Sequence, residues 1–249
     1  MADPALGFPR DTGQASARLD RGQITRAAVT LLDSEGADAF SMRKLAQALD
    51  VQSPTLYWHF RNKEQLFEFV IDEVLGECPL PSGEQPWDQR LLSTGLDLRR
   101  VLLAHPAVVQ IMPGRFLFGP NGLRLANHII GTLRDAGFGN RLAGYGYLLL
   151  TIYVIGFAGQ ETAFGKGPGN AERLAQISQY LHDLPGDRYP HLVAVADDLT
   201  GRPGMTHRFE VGLTGVLAEL DRQRSAPPSA TTADSGTGQV PSGSPQQGQ

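Results

Sequence analysis

The stretch SPTLYWHFRNK, residues 53–63, contains four consecutive ring-bearing side chains at positions 57–60. Neighbouring residues of a helix point about 100° apart, so these rings cannot all face one core. Ser53 and Pro54 are typical of a helix start, with a capping hydroxyl followed by a proline at the first helical position. The sequence therefore predicts a short helix, ending near residues 60–62, that exposes part of its aromatic surface.

A second short helix is predicted immediately before this stretch. Ser41 is a suitable N-cap for a helix over residues 42–49. Its apolar face consists of Met42, Leu45, Ala46 and Leu49. A turn at residues 50–52 then separates the two helices. This arrangement has the length of a helix-turn-helix, in which the second helix enters the DNA major groove.

The outward face of the second helix combines chemical groups that suit DNA. Leu56 and Phe60 are four residues apart and are expected to face inward. The residues expected on the other sides are Pro54, Thr55, Trp58 and His59, and the surrounding cations are Arg43, Lys44, Arg61 and Lys63. Cations neutralise phosphates, while hydroxyl and apolar groups contact phosphate oxygens and thymine methyls. Residues 18–63 contain seven Lys/Arg and five Asp/Glu, although the whole chain has a net charge of −4.

Helical periodicity extends along most of the 249 residues. One helix is predicted over residues 24–35, before the glycine stop at Gly36, and another over about 63–77. Beyond the prolines at 79 and 81, helices are predicted at about 86–104, 106–112, 119–137, 139–164, 170–183, 189–199 and 203–223. No convincing run of alternating strand residues appears. The predicted class is therefore all-α, with a three-helix helix-turn-helix domain followed by a helical domain.

The two ends of the chain differ from the middle in composition. Residues 1–17 show no periodicity, and residues 225–249 contain Val240 as their single large apolar residue. Segments of this kind bury too little apolar surface to offset the entropy of ordering. We therefore expect disordered tails at 1–17 and 225–249, a DNA-binding domain at 18–78 and a second domain at 79–224.

Residues 20–77 resemble the DNA-binding domain of the tetracycline-repressor (TetR) family. The resemblance is carried by ITRAAVTLLDSEGADAFSMRKLAQALDVQSPTLYWHFRNKEQLF, residues 24–67. A weaker, mostly apolar similarity to the C-terminal domain of the tetracycline repressor's own branch is carried by LLAHPAVVQIMPGR, LRDAGF and YVIGFAGQE. The family fold implies an N-terminal helix-turn-helix domain and a C-terminal domain that binds a ligand and dimerises.

The resemblance implies specific DNA contacts. Arg43 matches a residue that contacts a guanine, and Lys63 matches one that contacts phosphate. The full set of implied DNA-binding residues is Ser41, Arg43, Ser53, Pro54, Thr55, Tyr57, Trp58, His59 and Lys63. Ser53 replaces a longer amide of the tetracycline repressor, so a different operator is expected. Asp50 replaces the usual turn glycine, and aspartate tolerates the left-handed backbone conformation better than most residues.

The resemblance also implies a homodimer. Helices at about 139–164 and 203–223 match the two that form the family's four-helix interface, and a twofold dimer binds a near-palindromic operator. The first of these helices includes residues 142–159, which carry no charge. By length and composition alone this run also allows a membrane span. Four glycines dilute its hydrophobicity and no basic cluster flanks it, so a buried interface helix is favoured.

A small-molecule effector is implied for the second domain, without a metal or cofactor. The two histidines of the tetracycline repressor's contact set are replaced by Pro79 and Met112, so the magnesium complex of tetracycline is not expected. A hydrophobic, polyketide-like compound suits the family instead. The candidate ligand residues are His105, Gln110, Met112, Arg115, Phe116, Asn127, Tyr147, Thr151 and Glu161. Arg115 is expected to pair with an acidic ligand or with Glu161.

Other classes of function are less consistent with the sequence. No nucleophile elbow, phosphate-binding glycine loop or zinc-protease helix motif is present, so an enzyme is not expected. The single cysteine, Cys78, suits a reducing compartment, and the N-terminus lacks a signal peptide, so the expected location is the cytoplasm. The predicted function is a ligand-released, homodimeric transcriptional repressor. The alternatives are a constitutive regulator or an activator without an inducer, and a membrane-anchored DNA-binding protein.

Overall fold

The computed structural model describes residues 19–115, 117–163, 169–200 and 204–226. Within these ranges the regular structure is entirely α-helical, which confirms the predicted class. The helices are α1 (Arg21–Glu35), α2 (Met42–Ala48), α3 (Ser53–His59), α4 (Lys63–Gly76), α5 (Trp87–Ala104), α6 (Pro106–Ile111), α7 (Pro120–Asp135), α8 (Asn140–Ala163), α9 (Gly169–His182), α10 (Pro190–Ala194), α11 (Ala196–Thr200) and α12 (Met205–Ser225). The predicted tail at 1–17 lies outside the described residues, as does all but the start of the tail predicted at 225–249. Residue Ser225 of that second tail is the last residue of α12.

The first four helices all contribute to the apolar core, which continues into the rest of the described chain. Its fully buried members include Ile24, Leu32, Leu45, Leu56 and Leu66. Helix α1 packs against α2 and α4, and α2 packs against α3. Each of the four helices contributes at least one of these side chains, so their burial packs the helices against one another. The result is the predicted helix-turn-helix, formed by α2 and α3 on the support of α1 and α4.

The turn between α2 and α3 is as short as predicted, but the start of α3 differs. Asp50 has a φ of +51°, the left-handed conformation expected at this position. Gln52, rather than Ser53, is the N-cap of α3, and its side chain makes no capping hydrogen bond. The extended conformation of Gln52 starts the helix one residue earlier than predicted. Ser53 therefore belongs to the first turn, and the prediction of a capping Ser53 hydroxyl is wrong.

Helix α8 is the centre of the remaining structure and packs against α5, α6, α7 and α12. Its buried positions, spaced mostly three or four apart, are Ala143, Gly146, Leu150, Thr151, Val154 and Ala158. Small residues permit close helix contact: a Cβ on Gly95 of α5 would lie 2.4 Å from Leu213 Cδ2 of α12. In the part of the chain that is described, α8 is the one helix long and apolar enough to cross a membrane by length and composition.

Helices α9, α10 and α11 form a small group that packs within itself. The helix predicted over 189–199 is divided into α10 and α11, because Val195 departs from helical geometry with φ −114° and ψ 12°. The other predicted helices beyond residue 81 agree with the structure to within one or two residues at each end.

Helix α4 joins the N-terminal helices to the rest of the chain through a buried carboxylate. Asp72 Oδ1 accepts hydrogen bonds from the backbone N–H groups of Asn121, at 3.0 Å, and Gly122, at 2.9 Å. These N–H groups belong to the first turn of α7, where no intrahelical acceptor exists. A side chain on Gly119 would collide with this contact, since its Cβ would lie 2.3 Å from Asp72 Cγ.

Candidate functional site

The recognition helix α3 is held by the side chains on its inner face. Leu56 and Phe60 are fully buried. The ring of Phe60 meets that of Phe69 edge-on at 5.3 Å, and the Arg21 guanidinium lies 5.9 Å from the Phe60 ring centre. These contacts join α3 to α1 and α4, so the outer face of α3 is presented on a rigid support.

The outer face of α3 exposes the aromatic residues singled out from the sequence. Trp58 is 86% exposed and Tyr57 is 52% exposed. Pro54 is also exposed, while Ser53 and Thr55 are half-buried. Adjacent exposed aromatic side chains form an apolar patch, and such patches are typical of surfaces that contact a partner. The structure thus places the α3 residues predicted to contact DNA along one short helix.

Helix α2 contributes one exposed cation beside α3. The Arg43 side chain is exposed. Ser41 is the N-cap of α2, as predicted, and its hydroxyl accepts a hydrogen bond from the Lys44 backbone N–H at 3.3 Å. The Lys44 ammonium pairs with Glu35 of α1. Of the two cations of α2, Arg43 is therefore the more exposed, and its contact with a base stays a prediction.

Lys63 has contacts within the protein that the sequence did not predict. Its ammonium donates a hydrogen bond to the Phe40 carbonyl at 3.0 Å and lies 5.0 Å from the centre of the Phe67 ring. It also lies 5.3 Å from the centre of the Phe40 ring. Lys63 thus stabilises the contact between the α1–α2 connection and α4, in addition to the phosphate contact predicted for it.

His59, at the end of α3, is half-buried. Burial lowers the pKa of His59 below its ordinary value, and the nearby Arg21 lowers it further. The imidazole is therefore neutral at neutral pH and can offer one N–H donor and one acceptor. It suits a hydrogen bond to a sugar or phosphate better than the neutralisation of a phosphate charge.

The predicted ligand residues do not form one cluster. Tyr147 and Thr151 lie on adjacent turns of α8, and the Thr151 hydroxyl donates a hydrogen bond to the Tyr147 carbonyl at 2.8 Å. Met112 is buried, whereas Gln110 and Asn127 are exposed. The candidate Phe116 lies outside the described residues. Tyr147, Thr151 and Met112 therefore remain interior candidates, and the two exposed amides face the surface of this chain.

The pairing predicted between Arg115 and Glu161 is wrong. Glu161 binds Arg99 of α5 instead, with Oε2 2.9 Å from Arg99 Nε and Oε1 2.7 Å from Nη2. Arg115 donates to the carbonyls of Ile111, at 2.9 Å, and Glu64, at 3.2 Å. Sequence spacing could not distinguish two arginines as partners for Glu161, since the choice depends on which helix faces α8.

His105 connects helices rather than lining an interior cavity. Its Nδ1 lies 2.8 Å from Asp33 Oδ2 of α1, and its Nε2 lies 3.1 Å from Glu77 Oε2, just after α4. The residue caps the end of α5 and the start of α6. His105 therefore ties the N-terminal helices to the remainder of the chain.

A polar pair between α5 and α7 was not among the predicted ligand residues. Thr94 is fully buried, and its hydroxyl oxygen lies 3.2 Å from His128 Nε2. Burial lowers the pKa of His128, with further lowering by Arg90 and then Arg124, so the imidazole is neutral at neutral pH. The resemblance offered one signal, since Thr94 matches a contact position of the tetracycline repressor. The helical period alone did not place His128 opposite Thr94.

An open cleft of about 380 Å³ lies at the opposite end of α5 from His105. Its lining includes Trp87 at the start of α5 and Leu217 and Asp221 of α12. None of the predicted ligand residues lines this cleft. The cleft and the Thr94–His128 pair are therefore separate features.

Cys78 is buried immediately after α4. Burial raises the pKa of its thiol to about 11, and the nearby Asp97 also raises it. A thiol with this pKa is protonated at neutral pH and is a poor nucleophile. These surroundings suit a packing role for Cys78 and disfavour a redox sensor.

Two family models match the chain. "Bacterial regulatory proteins, tetR family" covers residues 24–70, and "Tetracyclin repressor-like, C-terminal domain" covers residues 79–224. Together the two matches include α2, α3 and all helices from α5 to α11, together with most of α1, α4 and α12.

Curated relatives match over most of their own length. The chain is 32% identical to an HTH-type transcriptional regulator of Saccharopolyspora erythraea, over 74% of this chain and 78% of that protein. It is 30% identical to the class E tetracycline repressor protein of Escherichia coli, over 85% of this chain and 97% of that protein.

Solved structures show the same architecture. ActR of Streptomyces coelicolor, a TetR family protein solved in complex with actinorhodin, is 34% identical and superposes with a TM-score of 0.77. The match covers 84% of this chain and all of that chain. The fold, the exposed recognition helix and both family models agree: the chain belongs to the tetR family of bacterial regulatory proteins and is a DNA-binding transcriptional regulator.

Proposed function

We propose that this regulator is a homodimeric repressor that leaves a near-palindromic operator when a small hydrophobic ligand binds α5–α8. The observation that carries the proposal is the outer face of α3, where exposed aromatic residues lie on a fully buried support. Arg43 of α2, exposed beside it, is proposed to contact a guanine through O6 and N7. Ser53, Pro54 and Thr55 are proposed to meet base edges, and Tyr57, Trp58, His59 and Lys63 the sugar-phosphate backbone.

The dimer is supported by apolar side chains that α8 and α12 expose in the described part of the chain. On α8, the exposed apolar residues are Tyr145, Leu148, Leu149 and Ile152. On α12, Val211 is 59% exposed. A second copy of the chain would cover both faces and would set the two α3 helices one DNA turn apart.

A ligand is supported by the relatives and by the interior of α5–α8. ActR was solved with actinorhodin, and a TetR variant of Acinetobacter baumannii was solved with minocycline. In this chain, the buried Thr94 hydroxyl and the half-buried His128 form a polar contact between α5 and α7. Small-molecule sites are typically apolar with a few polar groups, and this contact supplies polar groups next to buried apolar residues of α5 and α7. Met112, at a position where the tetracycline repressor has histidine, supplies no imidazole for magnesium.

The proposed location is the cytoplasm, where the DNA and the family's regulators are found. The second candidate is a regulator that binds DNA constitutively or activates transcription. It is kept because the DNA-binding face would be the same for either function. Release of the protein from its operator by a ligand distinguishes the repressor from this second candidate.

The experiment that tests the proposal begins with the selection of bound duplexes from a random DNA pool, using purified protein at fixed salt. Enrichment of a palindrome with two half-sites is expected. The selected duplex is then titrated with actinorhodin, and separately with minocycline and magnesium. Release by actinorhodin but not by minocycline supports the proposal, while failure to enrich any sequence contradicts it. Enrichment without release by any compound of a wider aromatic polyketide panel favours the constitutive candidate.

A further inference from the structure

The turn between α2 and α3 contains a side chain that the predicted DNA contacts leave out. Gln52 is exposed and immediately precedes Ser53. Three of the four N-terminal helices have N-cap side chains that accept a backbone N–H: Asp20 for α1, Ser41 for α2 and Asn62 for α4. Gln52, the N-cap of α3, is the exception.

The backbone of Gln52 is used by the fold, but its side-chain amide is not. The Gln52 carbonyl accepts the Thr55 N–H at 2.9 Å, which starts α3. No hydrogen bond to the Gln52 amide is found among the described residues. The exposed amide therefore contributes little to stability, which distinguishes it from the capping side chains Asp20, Ser41 and Asn62.

The neighbouring side chains cannot distinguish bases well. Ser53 and Thr55 carry single hydroxyl groups, which bond to donors and acceptors alike, and Pro54 has no side-chain donor or acceptor. A glutamine amide has one donor and one acceptor side by side. This pair matches the N6 donor and N7 acceptor that adenine presents in the major groove.

We propose that Gln52 is a specificity-determining residue that binds an adenine in each half-site of the operator. The inference rests on the proposed function, because it assumes that α3 enters the major groove. With Arg43 directed at guanine, it implies that each half-site contains one guanine and one adenine that are fixed by protein side chains.

Two substitutions test this role without disturbing the fold. Gln52→Ala removes both hydrogen-bonding groups, and Gln52→Glu keeps the shape but replaces the amide donor with an acceptor. The wild type is expected to prefer adenine over other bases at one half-site position by about 5- to 150-fold. Gln52→Ala should lose that preference at that position alone. Gln52→Glu should shift it toward cytosine, whose N4 group is a donor.

Selection from a random duplex pool is performed in parallel on the wild type and both variants, with melting temperatures measured as a check on folding. Loss of one adenine preference in Gln52→Ala, and its replacement by cytosine in Gln52→Glu, supports the inference. A wild-type palindrome that both variants retain unchanged overturns the role of Gln52 and leaves the regulator's proposed function intact. A wild type that enriches no sequence overturns both.

Discussion

Trp58 is the most exposed large hydrophobic side chain in the described ranges. An indole in water is unfavourable, and nothing in α3 requires tryptophan at this outward position. The fold therefore gains little from Trp58, and a DNA contact is the role that its position supports.

Replacing Trp58 with alanine is expected to lower the affinity for the selected operator by about tenfold or more, as for aromatic side chains at the centre of other interfaces. The melting temperature should stay unchanged, because the side chain is not part of a core. Fluorescence anisotropy with a labelled duplex and a thermal melt measure the two effects. Tyr180→Ala, at an exposed tyrosine of α9, is the control. A fall in melting temperature that accounts for the lost affinity would contradict the assignment.

Arg43 is expected to act on one base pair. Arg43→Ala should cost about 1–3 kcal/mol in specific binding and relax one position of the operator. The measurement is a set of dissociation constants for the selected duplex and for duplexes altered at single positions. If the variant binds every sequence more weakly by the same factor, Arg43 contacts phosphate and not a base.

Lys63 has two separable roles. Lys63→Ala should lower the melting temperature, since it removes the hydrogen bond to the Phe40 carbonyl and the contact with the Phe67 ring. If Lys63 also contacts phosphate, the plot of log affinity against log salt concentration should become shallower. The slope should change by about 0.9, the value for one lost phosphate contact. Affinities measured at several salt concentrations give the slope. A lower melting temperature with an unchanged slope would show that Lys63 is structural only.

At the scale of the elements, α4 is held to α7 by the Asp72 carboxylate. The contact satisfies two N–H groups in the first turn of α7 and joins the helix that supports α3 to the proposed ligand-binding helices. Burial raises the pKa of Asp72, although the hydrogen bonds from Gly122 and Asn121 oppose this effect. A displacement of α7 would therefore be transmitted to α4.

Asp72→Ala is expected to lower the free energy of unfolding by about 1–2 kcal/mol, as for the loss of other helix N-caps. Urea unfolding at neutral pH measures the loss, and Asp135→Ala, at the exposed other end of α7, is the control.

The pKa of Asp72 is higher in the folded chain than in the unfolded chain. At pH values just above the ordinary pKa of 3.8, the folded chain therefore binds more protons than the unfolded chain. The stability of the wild type relative to Asp72→Asn should therefore increase as the pH falls toward 3.8. A constant difference across this range would contradict the raised pKa.

At the scale of the whole molecule, Ile152 is the most exposed residue of the apolar face of α8, at 68%. Ile152→Asp should prevent dimerisation, because the proposed interface would bury two unpaired carboxylates related by the twofold axis. Light scattering after gel filtration measures the mass, and operator binding should be lost with the dimer. Leu199→Asp, at an exposed leucine of α11, should leave both unchanged. A dimeric Ile152→Asp protein would place the interface elsewhere.

Much of the fold could be predicted because helical periodicity and capping are local. The apolar spacing in α1, α2 and α4 and the Ser41 cap gave helices that agree closely with the structure. Two boundaries differed from the prediction: a break at Val195 divides one predicted helix, and α3 starts after Gln52 instead of after Ser53. Both boundaries depend on backbone angles that the sequence pattern does not determine.

The sequence by itself determined the helical class, the helix-turn-helix and the aromatic face of α3, because consecutive ring-bearing residues on one helix must leave some rings outside any core. The tertiary structure alone decided how distant side chains combine. It paired Glu161 with Arg99 rather than Arg115, placed His128 against Thr94, and used His105 to join α1 and α4 to α5. These pairings depend on which helices pack together and at what angle, and side-chain spacing along the chain contains no information about either.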